Sequence, residues 1–417
     1  MVKVLHFADA HIDIATYGKH DAESGLPIRV LDFLKALDTI VNTAITEKVD
    51  LVIFAGDAYK DRSPSPTFQR EWGRRIMRLS NSGIPTLLLV GNHDISPASG
   101  RAHTLQEFDT LEVPHVRVLY KPEFLKPADL WGLPLQVLAL PWVFRSGLMA
   151  AMELSASDSD KLNEEIEVRL TQILEDWMDH LDPSLPAILT AHGSVQGALY
   201  GNERTVMLGK DLVLPGALVK DKRLDYVALG HIHKHQNLNP GAHPPVIYPG
   251  SIERVDFGEA ADDKYFIIAE VDKGHTTFEA HRLDGRRYID LGVKITSNDK
   301  MMEKILTALP ENMHINDSIL RLTIEYPRDL DVFLDETALR EKCSSAFEFH
   351  LVRRPQEEAR LRLPADQTIA SLTPLELLKI YWESVRTEPK ELDTLQALAG
   401  SIIQSVSGGS DQTEETE

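Results

Sequence analysis

Apolar and polar positions along the first 270 residues fall into two kinds of run. KVLHFAD, DLVIFAGD, IPTLLLVGNHD, LQVLALPW, PAILTAH and DYVALGHIH are short and almost unbroken in hydrophobicity, as strands covered on both faces are. Between them lie PIRVLDFLKALDTIVNTAITEKV, a stretch after the SPSP turn, and SDKLNEEIEVRLTQILEDWMDHL. These space their apolar residues three and four apart, which predicts helices packed along one side. VIYPGS and KYFIIAEV read as later strands of a second sheet. Strands alternating with helices predict an α/β layered fold.

Around residues 270–285 the pattern changes. YIDLGVKITS, the helical NDKMMEKILTALPENM, SILRLTIEYP, the helical DETALREKCSSA and FEFHLVR predict a small α/β module. A charged connector, RRPQEEARLRLPADQ, precedes two amphipathic helices, SLTPLELLKIYWESV and LDTLQALAGSIIQSV, each with a Ser/Thr or Asp cap. The final GGSDQTEETE is acidic, lacks apolar residues and is expected to be disordered. The resulting divisions are 1–280, 281–355, 356–405 and 406–417.

At 417 residues, 43% hydrophobic and 26% charged, the chain has room for a large core and smaller modules. No apolar run reaches the roughly 18–20 residues needed to span a bilayer. MVKVLHFADAHID enters a strand pattern without a signal-peptide layout, and the single Cys343 excludes disulfides within the chain, so a cytoplasmic protein is expected. The formal charge of −20 counts against strong DNA binding by this chain alone. Bound divalent ions would reverse the field locally, and a partner could supply basic surface.

The polar residues that close the apolar runs are of one chemical kind. Asp9 and His11, Asp57, Asn92 and His93, His192, and His231 and His233 each follow a strand, where α/β sheets place their ligands. Two divalent ions roughly 3.5–4 Å apart need a bridging carboxylate, several imidazoles and further oxygen ligands. DAH, GDAYKD, GNHD, AHG and GHIH supply that set in order, with glycines beside most ligands. Singly, a D-x-H pair, a GD turn or a lone histidine has an ordinary structural explanation. His6, His103, His115 and His243 take that explanation; the five blocks together do not.

These blocks resemble the calcineurin-like metallophosphoesterase superfamily over about residues 1–270. Within it, GDAYKDRSPSP and YPGSIERVDFGE resemble the SbcD branch, also called the meiotic-recombination-eleven nucleases. The resemblance implies a layered β-sandwich flanked by helices, a smaller α/β capping domain over 281–355 and a helical segment over 356–405. It implies one metal on Asp9, His11 and His233, the other on Asn92, His192 and His231, with Asp57 bridging. His93 is then the general acid or phosphate-orienting residue, and Asp94 hydrogen-bonds and orients it; the plain alternative for Asp94 is a cap or turn residue. Manganese is the expected pair of ions, DNA the expected substrate, and an SbcC-type ABC ATPase and a second copy of the chain the expected partners, with no membrane.

Some relatives carry a histidine shortly after the bridging aspartate, where this chain has Tyr59, Lys60 and Asp61. Lys60 is either a substitute phosphate contact or a solvated loop lysine. Arg62, Arg101, Arg254, Arg286 and Arg287 are candidate phosphate contacts or ordinary surface residues. Leu372, Leu375, Leu378, Ile380, Tyr381 and Trp382 form an apolar face that either docks on a partner or packs on the chain's own core. The same core would also suit a phosphodiesterase acting on a small nucleotide or other non-DNA phosphoester, because fold and metal site do not fix the substrate. A scaffold with a degenerate site would have lost ligands, and none of the expected set is missing.

Overall fold

A computed structural model describes residues 1–95, 102–142, 159–201, 213–356, 372–384 and 389–407. Arg101 and parts of the charged connector and acidic tail lie outside these. The chain divides into two compact units, one of Met1–Asp290 with Asn312–Arg321 and Ser345–His350, the other of Leu291–Glu311, Leu322–Ser344 and Leu351–Glu417.

The first unit is a sandwich of two six-stranded sheets. One contains β1 (Val2–Phe7), β2 (Leu51–Phe54), β3 (Thr86–Leu89), β4 (Val116–Leu119), β13 (Lys264–Asp272) and β14 (His275–Leu283), in the order β14-β13-β1-β2-β3-β4. The other contains β5 (Glu123–Leu125), β6 (Gln136–Leu140), β7 (Ala187–His192), β10 (Tyr226–Gly230), β11 (Gln236–Asn237) and β12 (Val246–Tyr248), in the order β11-β12-β10-β7-β6-β5. Two short strands, β8 (Ser194–Val195) and β9 (Val213–Leu214), pair separately. Four neighbouring strands of each sheet run parallel, β1-β2-β3-β4 in one and β6-β7-β10-β12 in the other.

Every residue of β2, β3, β6, β7 and β10 is buried, which accounts for their unbroken apolar sequences. Val4, Ile53, Leu87 and Leu89 meet Val137, Ile188, Tyr226 and Ile247 between the sheets. The outer face of the first sheet is covered by α1 (Ile28–Thr46) and α2 (Pro66–Asn81), through Phe33, Leu37, Val41, Trp72 and Ile76. That of the second is covered by α4 (Ser159–Asp179), which buries Ile166, Leu170, Leu174 and Met178 at helical spacing. A five-residue helix, α3 (Gln106–Thr110), precedes β4.

KYFIIAEV departs from its expected place. It forms β13 and pairs antiparallel with β1, Val4 opposite Ala269, so it belongs to the first sheet. Hydrophobic patterning gives a strand but not its neighbour; here the neighbour lies some 260 residues earlier in the chain.

A third sheet has the order β15-β16-β17 (Tyr288–Lys294, Ile319–Pro327, Glu348–Gln356). Helices α6 (Met301–Ala308) and α8 (Glu336–Lys342) interleave with it in sequence, and Asp335 caps α8 by accepting the Ala338 N–H. Shorter turns of helix, α5 (Gly216–Val219) and α7 (Asn312–Ile315), complete the set before the terminal pair. Helix α9 (Pro374–Ser384) opens with a reciprocal Thr373–Glu376 cap. Helix α10 spans Pro389–Ser407, starting before the LDTLQ segment where a cap was expected. Among the described residues no helix is long and apolar enough to cross a membrane.

Candidate metal centre

The parallel strands of both sheets end at one place. Asp9 and His11 follow β1, Asp57 follows β2, Asn92 and His93 follow β3, His192 ends β7, and His231 and His233 follow β10. Asp9, His11, Asp57, Asn92, His192, His231 and His233 are all buried, and the structure brings them together. Ligand-type atoms of Asp9, His11 and His233 lie within 4.8 Å of one another, as do those of Asp9, Asp57 and His192. Asn92 Oδ1 is 2.9 Å from His192 Nε2 and 3.0 Å from His231 Nδ1. One Asp57 oxygen, Oδ2, faces both groups, 3.9 Å from His11 Nε2 and 3.4 Å from His192 Nε2.

The backbone is bent to achieve this. Asp9, His11, Asp57 and His231 all have positive φ, of 50°, 40°, 65° and 101°. Each such conformation costs a non-glycine residue about 1–3 kcal/mol and persists only where the surroundings enforce it. Gly91 is required by close approach, since a Cβ there would run into the Asp57 carboxylate. Asp94 supplies much of the enforcement. Its carboxylate accepts from the N–H groups of Asp57 (2.8 Å), Ala58 (3.0 Å) and Gly91 (2.9 Å) and from Thr104 Oγ1 (3.0 Å). Burial and the neighbouring Asp57 push its carboxyl up to about 7, against those hydrogen bonds.

The hydrogen bonds of Asp94 go to backbone amides and Thr104 rather than to the His93 ring. Asp94 clamps two loops, while the His93 ring is oriented by the Lys60 carbonyl, 2.8 Å from Nδ1. A carbonyl can only accept, so His93 Nδ1 carries a proton and Nε2 is the nitrogen left for other partners. Burial lowers the His93 imidazole below its ordinary pKa, with Asp57 opposing and Lys60 adding to the effect.

The donor set fits divalent ions. His11 Nδ1 donates to the Tyr59 carbonyl at 3.2 Å and His192 Nδ1 to the Ala55 carbonyl at 2.6 Å, which turns the Nε2 of each ring toward the cluster. His11 Nε2 lies 3.1 Å from His233 Nε2, and His192 Nε2 faces two oxygens. Nitrogens and oxygens gathered at such distances call for positive charge between them, from a proton or from a metal ion that displaces it. Burial alone would lower His192, yet the Asp57 and Asp9 carboxylates outweigh it and push it up to about 9. Burial alone would raise Asp57, but His192, His93 and His11 hold it well below the usual carboxylate range. Burial and His233 keep His11 well below the ordinary histidine value, hence neutral and able to bind a metal.

Beside the cluster an open groove of about 900 Å³ is lined by Asp13, Ile14, Thr16, Lys60, Arg62, Phe68 and His93, among others. Arg62 Nε donates to the Asn92 carbonyl at 3.3 Å. Two other candidate arginines are committed inward: Arg254 is 9% exposed, and Arg286 is paired with Asp32 and Asp317. Arg287 is exposed. His6 is a satisfied core histidine, bonded to Tyr226 and the Leu229 carbonyl. Sequence reasoning missed Trp142, whose ring lies 5.1 Å from that of His231, and the buried pair Glu259 and Lys264 behind His233. A lysine opening the apolar run KYFIIAEV was the available signal for that pair.

Residues 2–235 match the family profile described as calcineurin-like phosphoesterase. The chain is 26% identical over 308 residues to an uncharacterized metallophosphoesterase, YhaO, of Bacillus subtilis, a match covering 71% of this chain and 64% of that protein, just under two thirds of its length. It is 25% identical over 408 residues to the SbcD subunit of the SbcCD nuclease of Escherichia coli, with 95% of each chain covered. With the DNA double-strand break repair protein Mre11 of Archaeoglobus fulgidus it shares 23% identity over 431 residues, covering 100% of this chain and 89% of that one.

Proposed function

The chain belongs to the calcineurin-like phosphoesterase family of metal-dependent phosphoester hydrolases, and on that footing we propose that it is a DNA nuclease that cuts duplex ends, hairpins and single strands. The observation that carries this reading is the position of His93, on the open groove and directly beside the buried cluster. A groove rather than a closed pocket suits an extended polymer. Alignment over nearly the whole length with a nuclease subunit supports it further.

In this reading one ion is held by Asp9, His11 and His233, the other by Asn92, His192 and His231, with Asp57 between them. The imidazole and oxygen donors suit manganese. When bound, such a pair supplies charge neutralisation for a phosphodiester and acidifies a water for in-line attack. The chain's own residues do the rest. Asp94 ties together the loops bearing Asp57 and Asn92 and holds Asp57 in its strained conformation. His93, low in pKa and tied through Nδ1, gains a second proton at Nε2 beside the anionic phosphate and returns it to the departing oxygen. Lys60 and Arg62 on the groove meet neighbouring phosphates, so that cutting follows DNA ends and structure more than sequence.

A net charge of −20 leaves much of the DNA affinity to a partner, consistent with an SbcC-type ATPase and a homodimer. None of the six apolar residues over Leu372–Trp382 is fully buried, and that face is the segment we assign to such a partner. The same charge favours a second reading, a phosphodiesterase for small phosphoesters. End-labelled duplex and hairpin DNA with manganese separates the two. The wild type cuts both, and His93→Ala still takes up manganese but cuts about 10²–10⁴-fold more slowly. Turnover of a chromogenic diester without any cutting of DNA, even with the ATPase partner, would establish the second reading instead.

A further inference from the structure

Behind His233, on the side away from the cluster, lies a group of side chains that the metal site itself does not require. Glu259 sits in a short turn, Phe257–Glu259, held by Asp256 accepting the Gly258 N–H. Its Oε1 is 2.7 Å from His233 Nδ1. Its Oε2 accepts from Lys264 Nζ at 2.6 Å, Ser251 Oγ at 3.2 Å and the Val255 N–H at 3.1 Å. Lys264, the first residue of β13, is 1% exposed and spends all three ammonium donors here, on Glu259, on Ser251 Oγ (2.7 Å) and on the His233 carbonyl (3.2 Å). The Ser251 N–H also reaches the His233 carbonyl, at 3.1 Å. Glutamate and lysine are almost never fully buried unless paired, and this pair converges on both ends of one histidine.

We propose that Glu259, locked by Lys264 and Ser251, is the positioning residue that fixes His233 with its proton on Nδ1 and its Nε2 electron pair aimed at the Asp9–His11 side of the metal centre. The inference rests on the metal-centre reading and not on the choice of DNA as substrate. A carboxylate oxygen that already receives an ammonium, a hydroxyl and an amide leaves its partner oxygen as a pure acceptor. The ring nitrogen facing it must therefore donate. That choice settles the tautomer, holds the ring plane against rotation and adds negative charge behind the ligand, which strengthens it as a donor. The carbonyl of the same residue is held by Ser251 and Lys264, so backbone and ring are fixed together. Glu259 acts on His233 alone, so its influence falls on one ion of the pair.

The test uses the full chain and manganese alone. Glu259→Gln by itself strands a buried ammonium, so the principal variant is E259Q/K264M, which removes both charges together. Calorimetric titration of the wild type gives two ions, and its electron paramagnetic resonance spectrum shows the multiline pattern of a coupled pair. In E259Q/K264M one ion binds as before and the other about 10–100-fold more weakly. At two equivalents of manganese the spectrum becomes the six-line pattern of isolated ions. Wild-type affinity for both ions, or equal weakening of both, overturns the proposal. A second measurement needs no variant: nitrogen-15 spectra of the metal-free wild type at pH 8 find the His233 proton on Nδ1, and a proton on Nε2 overturns the assignment. Failure of the wild type to take up manganese would instead overturn the metal centre.

Discussion

Asp32 and Asp57 are both carboxylates withdrawn from solvent, yet their surroundings are opposite. Asp32 meets two guanidinium groups. Arg29, fully buried, donates to it at 2.7 Å, and Arg286 donates twice, at 2.7 and 2.8 Å. The remaining donors are largely spent nearby, on the Arg254 carbonyl and on Asp317, and Glu253 accepts the backbone N–H groups of Arg254 and Arg286. Aromatic faces cover the cations, Phe33 and Tyr288 over Arg29 and Phe347 over Arg286. Asp57 instead faces imidazoles whose Nδ1 groups are tied to carbonyls behind them, so their Nε2 nitrogens and the carboxylate oxygens look at one another. The Asp32 carboxylate is met by the protein's own protons, whereas the donors around Asp57 are arranged for something added. Buried charge alone therefore does not mark a functional site; the direction in which the donors are spent does.

The largest expected effect comes from the open cluster. Asp57→Asn removes the oxygen shared by both groups, and calorimetry with manganese should find one ion or none. Hydrolysis should fall by at least about 10²-fold, since even an outer partner of a ligand is worth about 10–100-fold. Saturating manganese should also stabilise the wild type, by about 2.7 kcal/mol at one hundred times the dissociation constant, and should do little for this variant. Two ions bound to Asp57→Asn would end the contrast between the clusters.

Asp32→Asn probes the closed cluster. It leaves Arg29 and Arg286 buried without their shared counter-charge, and breaking such a pair costs about 3 kcal/mol. Denaturant unfolding should show that loss, while manganese affinity stays within about twofold of wild type. A variant that keeps its stability but loses an ion would mean that the two clusters are one system.

The same contrast explains what is legible in the sequence. The seven residues of the open cluster each end an apolar run, and that signature is local: strand, polar stop, glycine. The partners of the closed cluster carry no such mark. Asp32 lies within α1 at ordinary helical spacing, and Arg286 lies 254 residues away in the segment between β14 and β15. For the same reason Arg254 and Arg286 pass for candidate phosphate contacts in the sequence, although both are spent inside the protein. Glu259 and Lys264 act through the placement of β13 beside β1, a pairing that hydrophobicity does not encode and that patterning assigns to the other sheet. The strand β14 has no legible signature, since most of HTTFEAHRL is exposed or half-exposed on a sheet edge. Asp94 looks like a partner of His93 because they adjoin in GNHD. Its oxygens turn to the backbone amides of Asp57, Ala58 and Gly91, contacts that adjacency in the sequence does not show.

The smallest expected effect lies between the two clusters in kind. Lys60 belongs to neither: it is exposed, its N–H is held by Asp13, and its carbonyl orients His93. Its backbone thus serves the site whatever its side chain is, which separates two roles that a single residue usually confounds. Lys60→Ala keeps the carbonyl and removes only the ammonium on the groove. If that ammonium meets a neighbouring phosphate, KM for DNA rises about 2–5-fold, with kcat nearly unchanged and a shallower dependence on salt, because an exposed charge contact is worth about 1 kcal/mol or less. Steady-state cleavage at two salt concentrations reads this directly. Unchanged KM at both would make Lys60 a solvated loop lysine, and a fall in kcat would instead mean that the substitution had moved the carbonyl that holds His93.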